Sequence, residues 1–447
     1  MNRSITVIGA GLAGCEAAYQ IAKQGVKVKL YEMKPAKYSP AHSNKNFAEI
    51  VCSNSFKSNS ITNACGLLKE ELRRLDSLLI KCADKTSVPA GQALAVDRDE
   101  FSKLVTAEIE NNPNIEIIRE EFAEDIHLNE ITIIATGPLT SDTLIEKISK
   151  LTNNSNLYFY DAAAPIIEKD SIDMNIAFFG DRYGKGDGSY INLPLTKEEY
   201  EKFYNELVNA EKVELHEFEK KEIFEGCMPV EVMASRGIDT LCFGPLKPVG
   251  FIDPRTGKMP HAIVQLRQDN KEASLYNMVG FQTNLKFGEQ KRVFSLLPGL
   301  ENAEFVKYGV MHRNTYINSP ELLDDTYNLK SNKNIFFAGQ IAGVEGYVES
   351  ISSGLVAGIN ATLLFENKEK RKFSEKTVIG ALAKYISSEN KIFQPMNANF
   401  GILPNLEKRI KDKKERYETL ASIALEELER LKNKCKCGIS NSDSSGY

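Results

Sequence analysis

The chain has 447 residues, of which 42% are hydrophobic, so it is long enough for two or three domains with substantial cores. Its 61 acidic and 56 basic residues give a net charge of −5, which excludes a global positive field that attracts nucleic acid. There is no signal-peptide pattern, and no apolar run reaches the roughly 20 residues that a transmembrane helix needs. Eight cysteines are scattered rather than spaced as a disulfide framework. We therefore expect a soluble cytoplasmic enzyme with no membrane segment.

The first 32 residues predict a strand, a helix and a second strand, joined by a glycine-rich turn. Gly9, Gly11 and Gly14 stand at G-x-G-x-x-G spacing. In a dinucleotide-binding turn the first glycine permits a tight bend, the second lets the backbone approach a pyrophosphate, and the third lets the helix pack on the strand. The predicted elements are a strand at Ile5–Ile8, a helix at Leu12–Lys23 and a strand at Val26–Tyr31.

An acidic residue completes this unit. Glu32 follows the second strand, where a carboxylate can accept hydrogen bonds from a ribose hydroxyl. The N–H groups and the dipole at the start of the first helix favour a diphosphate. A lone glycine motif is weak, but here strand, helix, second strand and acid agree. The predicted cofactor contacts in this unit are Gly9, Ala10, Gly11, Leu12, Ala13, Gly14 and Glu32.

A second strand–turn–helix unit lies more than 300 residues further along the chain. A predicted strand at Asn334–Ala338 leads into the turn Gly339–Gly346, and a helix is expected over Tyr347–Leu364. Two such distant turns fit the long FAD molecule better than a soluble nicotinamide cofactor. The alternative is a plain doubly wound fold with ordinary turns at both places. The predicted contacts in the second turn are Gly339, Gln340, Gly343, Val344, Glu345 and Gly346.

The pattern between the two units differs from that of the flanking sequence. Short strands and glycine-rich loops predict an inserted α+β domain. Helical spacing also predicts one helix over Leu67–Ala83 and a long charged helix over Glu407–Lys434. The predicted division is 1–180 for the first part of the FAD-binding domain, 181–300 for the inserted domain, 301–434 for the second part with C-terminal helices, and 435–447 for a disordered tail.

Two cysteines are candidate nucleophiles. Cys52 precedes Ser53, Asn54 and Ser55, whose small polar groups can donate hydrogen bonds to a thiolate, and Cys227 lies in a turn fixed by Gly226 and Pro229. Local context alone still favours an unreactive cysteine, packed as a small hydrophobic residue, at both position 52 and position 227. Cys435 and Cys437 form a C-x-C pair without a second cysteine or histidine cluster, so a zinc site is not expected.

Three further segments are candidates for binding. His312 and Arg313 precede the second turn and could face a flavin. The loop 182–185 interleaves Tyr183 with Arg182 and Lys185, as single-strand nucleic-acid binders do. Residues 407–416 hold six basic and three acidic side chains, which could contact phosphate, although such a run more often forms a solvated helix face.

Taken together, several motifs resemble those of one known family, the folate- and FAD-dependent tRNA (uracil-5-)-methyltransferases. The resemblance extends from about residue 3 to about residue 430. Its motifs are G-A-G-L-A-G-C-E-A-A at 9–18, F-A-E-I-V-C-S-N-S-F at 47–56, A-L-A-V-D-R at 93–98, E-G-C-M-P-V-E at 225–231, F-G-P-L-K-P-V-G at 243–250 and A-G-Q-I-A-G-V-E-G-Y-V-E-S at 338–350. Gln92, where a glycine is common, and the cysteine-containing tail depart from the family pattern.

The resemblance implies a Rossmann-like, glutathione-reductase-like FAD-binding fold with an inserted domain. It implies methylenetetrahydrofolate as the carbon donor, FAD as methylene carrier and reductant, NADH or NADPH as electron source, and a tRNA T-loop uridine as substrate. It assigns Cys227 to attack on carbon 6 of uracil and Cys52 to a place beside the flavin, although the two roles could be exchanged. No stable protein partner is inferred.

Four alternatives remain open from the sequence. They are the same chemistry on a ribosomal RNA uridine, a larger tRNA wobble-modifying flavoprotein, a small-molecule flavin oxidoreductase, and a non-catalytic FAD-bound RNA-binding protein. A disulfide reductase would place two cysteines close together in sequence, whereas Cys52 and Cys65 are 13 residues apart.

Overall fold

The computed structural model describes residues 4–152, 157–184, 188–213, 228–309, 311–390 and 393–439. The strands are β1 (Ser4–Ile8), β2 (Lys27–Tyr31), β3 (Ser55–Ser58), β4 (Ser87–Val88), β5 (Ala93–Val96), β6 (Ile115–Ile118), β7 (Thr132–Ile134), β8 (Leu157–Ala162), β9 (Ile166–Glu168), β10 (Phe178–Phe179), β11 (Tyr190–Leu195), β12 (Ala262–Gln268), β13 (Leu275–Met278), β14 (Phe305–Lys307), β15 (Met311–Tyr316) and β16 (Ile335–Phe337).

The helices are α1 (Leu12–Lys23), α2 (Ala64–Arg74), α3 (Leu78–Lys85), α4 (Arg98–Glu110), α5 (Asp142–Leu151), α6 (Lys197–Asn209), α7 (Val230–Ala234), α8 (Thr240–Phe243), α9 (Phe287–Phe294), α10 (Ser319–Leu322), α11 (Tyr347–Phe365), α12 (Val378–Ser387) and α13 (Lys413–Ile439).

A five-stranded parallel sheet positions the site. Its order is β16-β7-β1-β2-β6, so the chain moves outward from β1 in one direction and later in the other. Ile8 lies in register with Tyr31 on one side and with Ile134 on the other. The carboxyl ends of these strands therefore form one edge, at the point where the strand order reverses. That crevice is where open α/β sheets bind ligands.

Helices α1 and α11 pack with their backbones almost in contact. A Cβ added to Gly354 would lie 2.2 Å from the carbonyl oxygen of Ala13, and one added to Gly358 would lie 2.8 Å from that of Ala17. By length and composition α11 could cross a membrane, but 78% of its apolar stretch is buried inside the protein. The close packing brings the N-terminal ends of the two helices to the same edge of the sheet.

A second unit is built on a six-stranded antiparallel sheet of order β10-β11-β12-β13-β9-β14. Its separate hydrophobic core includes Phe203, Phe281 and Phe294. The chain reaches this sheet and leaves it beside the paired strands β8 and β15. Because β9 and β14 belong to the sheet, it extends from Ile166 to Lys307, beyond the expected bounds of 181 and 300 on both sides. The domain division itself stays a prediction.

Two predicted helices differ from the observed ones. The single helix expected over Leu67–Ala83 is two helices, α2 and α3, because Asp76 has a left-handed backbone with φ of 63° and Ser77 caps α3 through the N–H of Ile80. The long charged helix begins at Lys413 rather than Glu407 and continues to Ile439, past the expected end at Lys434. Residues 440–447 lie outside the described part of the chain.

Candidate functional site

A cleft lies along the carboxyl edge of the parallel sheet. It consists of two adjoining cavities that open to solvent. The first is lined by Gly9, Ala10, Gly11 and Glu32, and the second by Leu12, Ala13, Gly339 and Gln340. Both cavities share Gly11, His42 and Ala135, so together they form one elongated space. Such a space suits a ligand longer than a single mononucleotide.

The three glycines of the first turn play different structural parts. Gly9 has φ of 97°, and a Cβ there would lie 2.7 Å from the carbonyl oxygen of Ala135. A Cβ on Gly14 would lie 1.8 Å from the carbonyl oxygen of Gly9, so only glycine lets α1 sit this close to the turn. A Cβ on Gly11 would meet nothing within 4 Å. Gly11 therefore presents bare backbone to the cleft, as approach to a diphosphate requires.

Glu32 is buried just after the end of β2 and is hydrogen-bonded to the first glycine turn. One of its carboxylate oxygens accepts a hydrogen bond from the backbone N–H of Ala10 at 3.0 Å, and the other accepts one from that of Lys34 at 3.0 Å. Each oxygen keeps further acceptor capacity. The carboxylate thus fixes the turn and lines the first cavity, where a ribose hydroxyl could reach it.

The second turn is built by the predicted residues, but only part of it lines the cleft. Gly339 and Gly343 have positive φ, and the Gln340 amide donates to both carboxylate oxygens of Glu345 at 2.8 Å. Val344 and Glu345 pair with the segment at Met396 instead and line neither cavity. Gly346 has φ of 121° and leads into α11. Cofactor contact by Gly343, Val344, Glu345 and Gly346 stays a prediction.

The first residue of α11 connects the second turn to the loop that carries Cys52. Tyr347 lines the second cavity together with Cys52 and Ser350. Its phenolic oxygen accepts hydrogen bonds from the backbone N–H groups of Cys52 at 3.0 Å and Ser53 at 3.1 Å. The predicted site residue Cys52 is therefore in the cleft, beside both glycine turns and half-buried.

A half-buried arginine hydrogen-bonds the Cys52 loop from the side opposite Tyr347. Arg98 donates to the carbonyl oxygens of Ile50 at 3.2 Å and Val51 at 2.7 Å, and its Nε donates to Asp269 at 3.0 Å. Burial by itself lowers the pKa of Arg98, but the neighbouring Asp269 and Tyr347 outweigh burial and raise the pKa above its ordinary value. A permanent positive charge thus lies next to the thiol-bearing loop.

The second unit also reaches this loop. Arg267, near the end of β12, donates to the side-chain oxygens of Asn54 at 2.9 Å and Ser53 at 2.6 Å. Lys307, at the end of β14, is half-buried, and its pKa is lowered by burial and by the charge of Arg98. Cationic groups from both units therefore converge on the Cys52 side of the cleft, which favours an anionic ligand there.

The second predicted catalytic cysteine, Cys227, lies outside the described residues. The chain on either side of it is firmly attached to the second unit. Val213 donates its N–H to the carbonyl of Asn284 at 2.9 Å, and Val230 donates to that of Gln282 at 2.7 Å. Glu231, the last residue of the E-G-C-M-P-V-E motif, accepts hydrogen bonds from Thr283 and Asn284. Burial raises the pKa of Glu231. Its hydrogen bonds attach the start of α7 to the 283–284 segment.

Some residues at the cleft had no clear sequence signal. Arg98 and Tyr347 stand within family-like motifs, but nothing in their spacing indicates contact with the Cys52 loop. His42 lines both cavities and is hydrogen-bonded to Ser39 through Nδ1. His312 and Arg313 lie on β15, and their side chains are outside the described part of the structure.

Comparisons with known proteins agree with this geometry. Residues 4–369 match the family described as GIDA, Glucose inhibited division protein A. The methylenetetrahydrofolate--tRNA-(uracil-5-)-methyltransferase TrmFO of Fusobacterium nucleatum is 61% identical over 98% of this chain and 100% of its own length. The protein of that name from Acetivibrio thermocellus is 63% identical over 93% of this chain and 95% of its own length.

A solved structure of Aquifex aeolicus GidA shares the fold. It superimposes with a TM-score of 0.70 at 18% identity, and the match covers 96% of this chain and 74% of that one. The expected Rossmann-like FAD-binding architecture is thereby confirmed, as is the family resemblance. The chain belongs to the family of methylenetetrahydrofolate–tRNA-(uracil-5-)-methyltransferases.

Proposed function

We propose that this protein methylates carbon 5 of a tRNA T-loop uridine, with methylenetetrahydrofolate as carbon donor and FAD as resident cofactor. The observation that supports this function most directly is a single cleft that is lined by both glycine turns and by Cys52, in a chain of this family. FAD and folate follow from the family, which is about 60% identical to this chain along nearly its whole length. NADH or NADPH as electron source and a cytoplasmic location are further predictions.

The residues present fit an FAD molecule. The bare backbone of Gly11 at the start of α1 would face the diphosphate, and Glu32 would accept hydrogen bonds from the adenosine ribose. Gly339 and Gln340 would bound the flavin end, near Tyr347. When bound, FAD supplies the carrier for the one-carbon unit and the electrons that reduce it to a methyl group.

Cys227 is proposed as the nucleophile toward RNA. Carbon 5 of uracil is a poor nucleophile until a thiolate adds at carbon 6. The new C6–S bond pushes the C5–C6 π electrons toward carbon 5 and the carbonyl at carbon 4, so carbon 5 can form a bond to the one-carbon unit. Loss of the carbon-5 proton to a base then lets the one-carbon unit separate from its carrier, which keeps the electron pair of the broken bond. Addition of a hydride to that unit expels the thiolate from carbon 6, which leaves a methyl group on carbon 5 and restores the C5–C6 double bond. The described flanks of Cys227 are fixed to the second unit, and the role of Cys227 itself rests on the E-G-C-M-P-V-E motif at 225–231.

Cys52 is proposed to act on the flavin side of the cleft, where its thiol can protect the one-carbon unit before transfer. This proposal is supported by its position in the second cavity and by three groups that hold its loop. Tyr347 binds the backbone N–H groups, while Arg98 and Arg267 bind carbonyl and side-chain oxygens of the same loop. A loop held from three sides positions its thiol with little freedom, as catalysis requires.

The proposed function is tested by incubating the purified flavoprotein with a tRNA transcript, methylenetetrahydrofolate and NADPH. We expect 5-methyluridine in the T-loop, and none when folate or the reductant is omitted. Large-subunit ribosomal RNA in a parallel reaction separates the two RNA targets. Methylation of ribosomal RNA alone would contradict the tRNA assignment, and the absence of a bound flavin would contradict the whole proposal.

A further inference from the structure

A surface of the second unit exposes large apolar side chains together with basic ones. Tyr183 is 63% exposed, Phe243 82%, Ile252 60% and Met259 57%. Exposed apolar residues scattered singly need no explanation, whereas a contiguous group marks an interaction site. We define the loop patch by these four residues and the exposed cations Lys247, Arg255 and Lys258.

The segments that form the loop patch are held together by hydrogen bonds. The guanidinium of Arg182 donates to the carbonyl oxygen of Lys247 at 3.1 Å and also to that of Val249. The backbone N–H of Tyr183 donates to the carbonyl oxygen of Gly250 at 2.8 Å. The loop that carries Tyr183 therefore lies directly on the 247–250 segment.

The remaining members join the same surface. The N–H of Asp253 donates to the carbonyl oxygen of Lys258 at 2.9 Å, which places Ile252 and Met259 side by side at the base of a short hairpin. Ile252 follows Phe251, whose ring lies 5.0 Å beneath the Arg182 guanidinium. At the other end, Lys247 donates its N–H to Gly244, the residue after Phe243. Backbone hydrogen bonds and chain neighbours thus connect all the segments that carry the loop patch.

The backbone of Tyr183 is left-handed, and its ring lies against the backbone of Gly250 while most of its surface faces solvent. Tyr183 has φ of 60°, a left-handed conformation that non-glycine residues seldom adopt. Its neighbour Gly250 has φ of 92°, and a Cβ there would lie 2.8 Å from Cγ of Arg182. Strained backbone that presents a ring to solvent, rather than to a core, is typical of a binding site.

The charge of the loop patch opposes that of the whole chain. Within 182–183 and 243–259 four cations, Arg182, Lys247, Arg255 and Lys258, stand against a single anion, Asp253. Asp253 is buried and bonded to Arg255. The local charge is therefore about +3 in a protein of net charge −5, which selects a polyanion as the partner.

The loop patch is connected to the cleft through one pair of strands. The loop of Tyr183 runs into β11, whose first residue, Tyr190, pairs with Arg267 on β12. Arg267 in turn donates to Ser53 and Asn54, next to Cys52. A partner on the loop patch would therefore lie on the part of the second unit that contacts the candidate active site.

We propose that the loop patch is a docking surface for the tRNA substrate, where the exposed rings stack on unpaired bases and the cations bind phosphates. The inference rests on the proposed function. Every base has a π face, so aromatic stacking suits single-stranded loop nucleotides regardless of sequence. Because lysine and arginine side chains neutralise phosphates and release their counterions, the affinity of such binding falls as the salt concentration rises.

The test compares four variants of the full-length flavoprotein. Tyr183→Asn removes the ring but keeps a residue that tolerates a left-handed backbone, Phe243→Ser removes the other ring, and Lys247→Gln removes one charge. Leu128→Ser is the matched control. Leu128 is 51% exposed, and its carbonyl accepts from Asn332 and Asn334 at the opposite, amino-terminal edge of the parallel sheet.

We expect each ring variant to raise the Kd for a tRNA transcript about tenfold. Lys247→Gln should lower by about one the slope of log affinity against log salt concentration. Flavin content and reduction by NADPH should match wild type in all four, and Leu128→Ser should bind tRNA as wild type does.

The possible failures are distinguishable. If the wild-type flavoprotein neither binds nor methylates tRNA, the proposed function is wrong and so is the proposed docking surface. If wild type binds tRNA and both ring variants bind equally well, the docking surface alone is wrong. If the ring variants dissociate a dimer in sedimentation without changing the Kd for tRNA, the loop patch joins copies of this chain, which also overturns the inference.

Discussion

The phenolic oxygen of Tyr347 accepts hydrogen bonds from the backbone N–H groups of both Cys52 and Ser53, at 3.0 and 3.1 Å. One side chain at the start of α11 thereby connects the second glycine turn to the loop that carries a candidate catalytic thiol. A phenylalanine would keep the ring but leave both amides without this acceptor.

We predict that Tyr347→Phe lowers kcat for tRNA methylation by about fivefold. Loss of a hydrogen bond of roughly 1 kcal/mol loosens the Cys52 loop, and that energy corresponds to about this change in rate. Steady-state methylation assays measure the effect. Tyr385→Phe is the control, because it removes a hydrogen bond to Gln394 outside the cleft. Equal turnover in wild type and Tyr347→Phe would show that the contact does not position the loop.

The glycines of the first turn should respond to substitution in different ways. Gly14→Ala forces a Cβ to within 1.8 Å of the Gly9 carbonyl, so α1 must move. We expect a protein with a lowered melting temperature and little bound flavin. Gly11→Ala meets no protein atom but projects a methyl group where the diphosphate approaches. It should keep the melting temperature of the flavin-free protein and weaken FAD binding. Similar melting temperatures for both flavin-free variants would contradict this assignment.

The sequence allowed the first turn to be predicted because each glycine there has a local reason. The strand, the bend and the helix of this unit lie within 28 residues, and β1, α1 and β2 match the expected elements closely. The second turn was also predictable from its own spacing. What could not be predicted was that Gly354 and Gly358 let α11 approach α1, because that contact joins residues more than 300 positions apart.

The Cys52 environment shows the same limit more clearly. The loop is held by Arg98 at the start of α4 and by Arg267 and Asp269 at the end of β12. No local spacing connects these residues to Cys52. Asp76 presents a different limit. The apolar spacing of 67–83 continues through it, so only its left-handed backbone reveals that one predicted helix is two.

Arg98 offers a further test of how the loop is held. Arg98→Lys keeps the charge, but a lysine cannot bind two carbonyls and Asp269 in the planar geometry of a guanidinium. We predict a kcat at least several-fold below wild type with flavin content unchanged. Arg74→Lys, at a half-buried ion pair with Glu70, is the control and should be close to neutral. A fully active Arg98→Lys would mean that charge alone suffices.

Glu71 should make stability depend on pH. It is fully buried on α2, accepts hydrogen bonds from the N–H groups of Val378 and Ile379, and burial raises its pKa from 4.5 to about 7. Between these values the folded protein holds a proton that the unfolded chain has lost. The free energy of unfolding should therefore fall as pH rises from about 4.5 to about 7, by up to roughly 3 kcal/mol from this group.

Urea unfolding at pH 5 and pH 7.5 measures that dependence in wild type and in Glu71→Gln, which cannot titrate. We expect the midpoint of wild type to fall more between the two pH values than that of the variant. Parallel changes in both proteins would assign the pH dependence to other groups.

The central claim is that sulfur activates the uracil while a flavin in this cleft supplies the one-carbon unit. The most direct measurement compares wild type with Cys227→Ala in a methylation assay containing tRNA transcript, methylenetetrahydrofolate and NADPH. We predict 5-methyluridine from wild type and none from Cys227→Ala, with the same yellow flavin spectrum in both proteins. Full methylation by Cys227→Ala, or a wild-type protein that takes up no FAD, would contradict it.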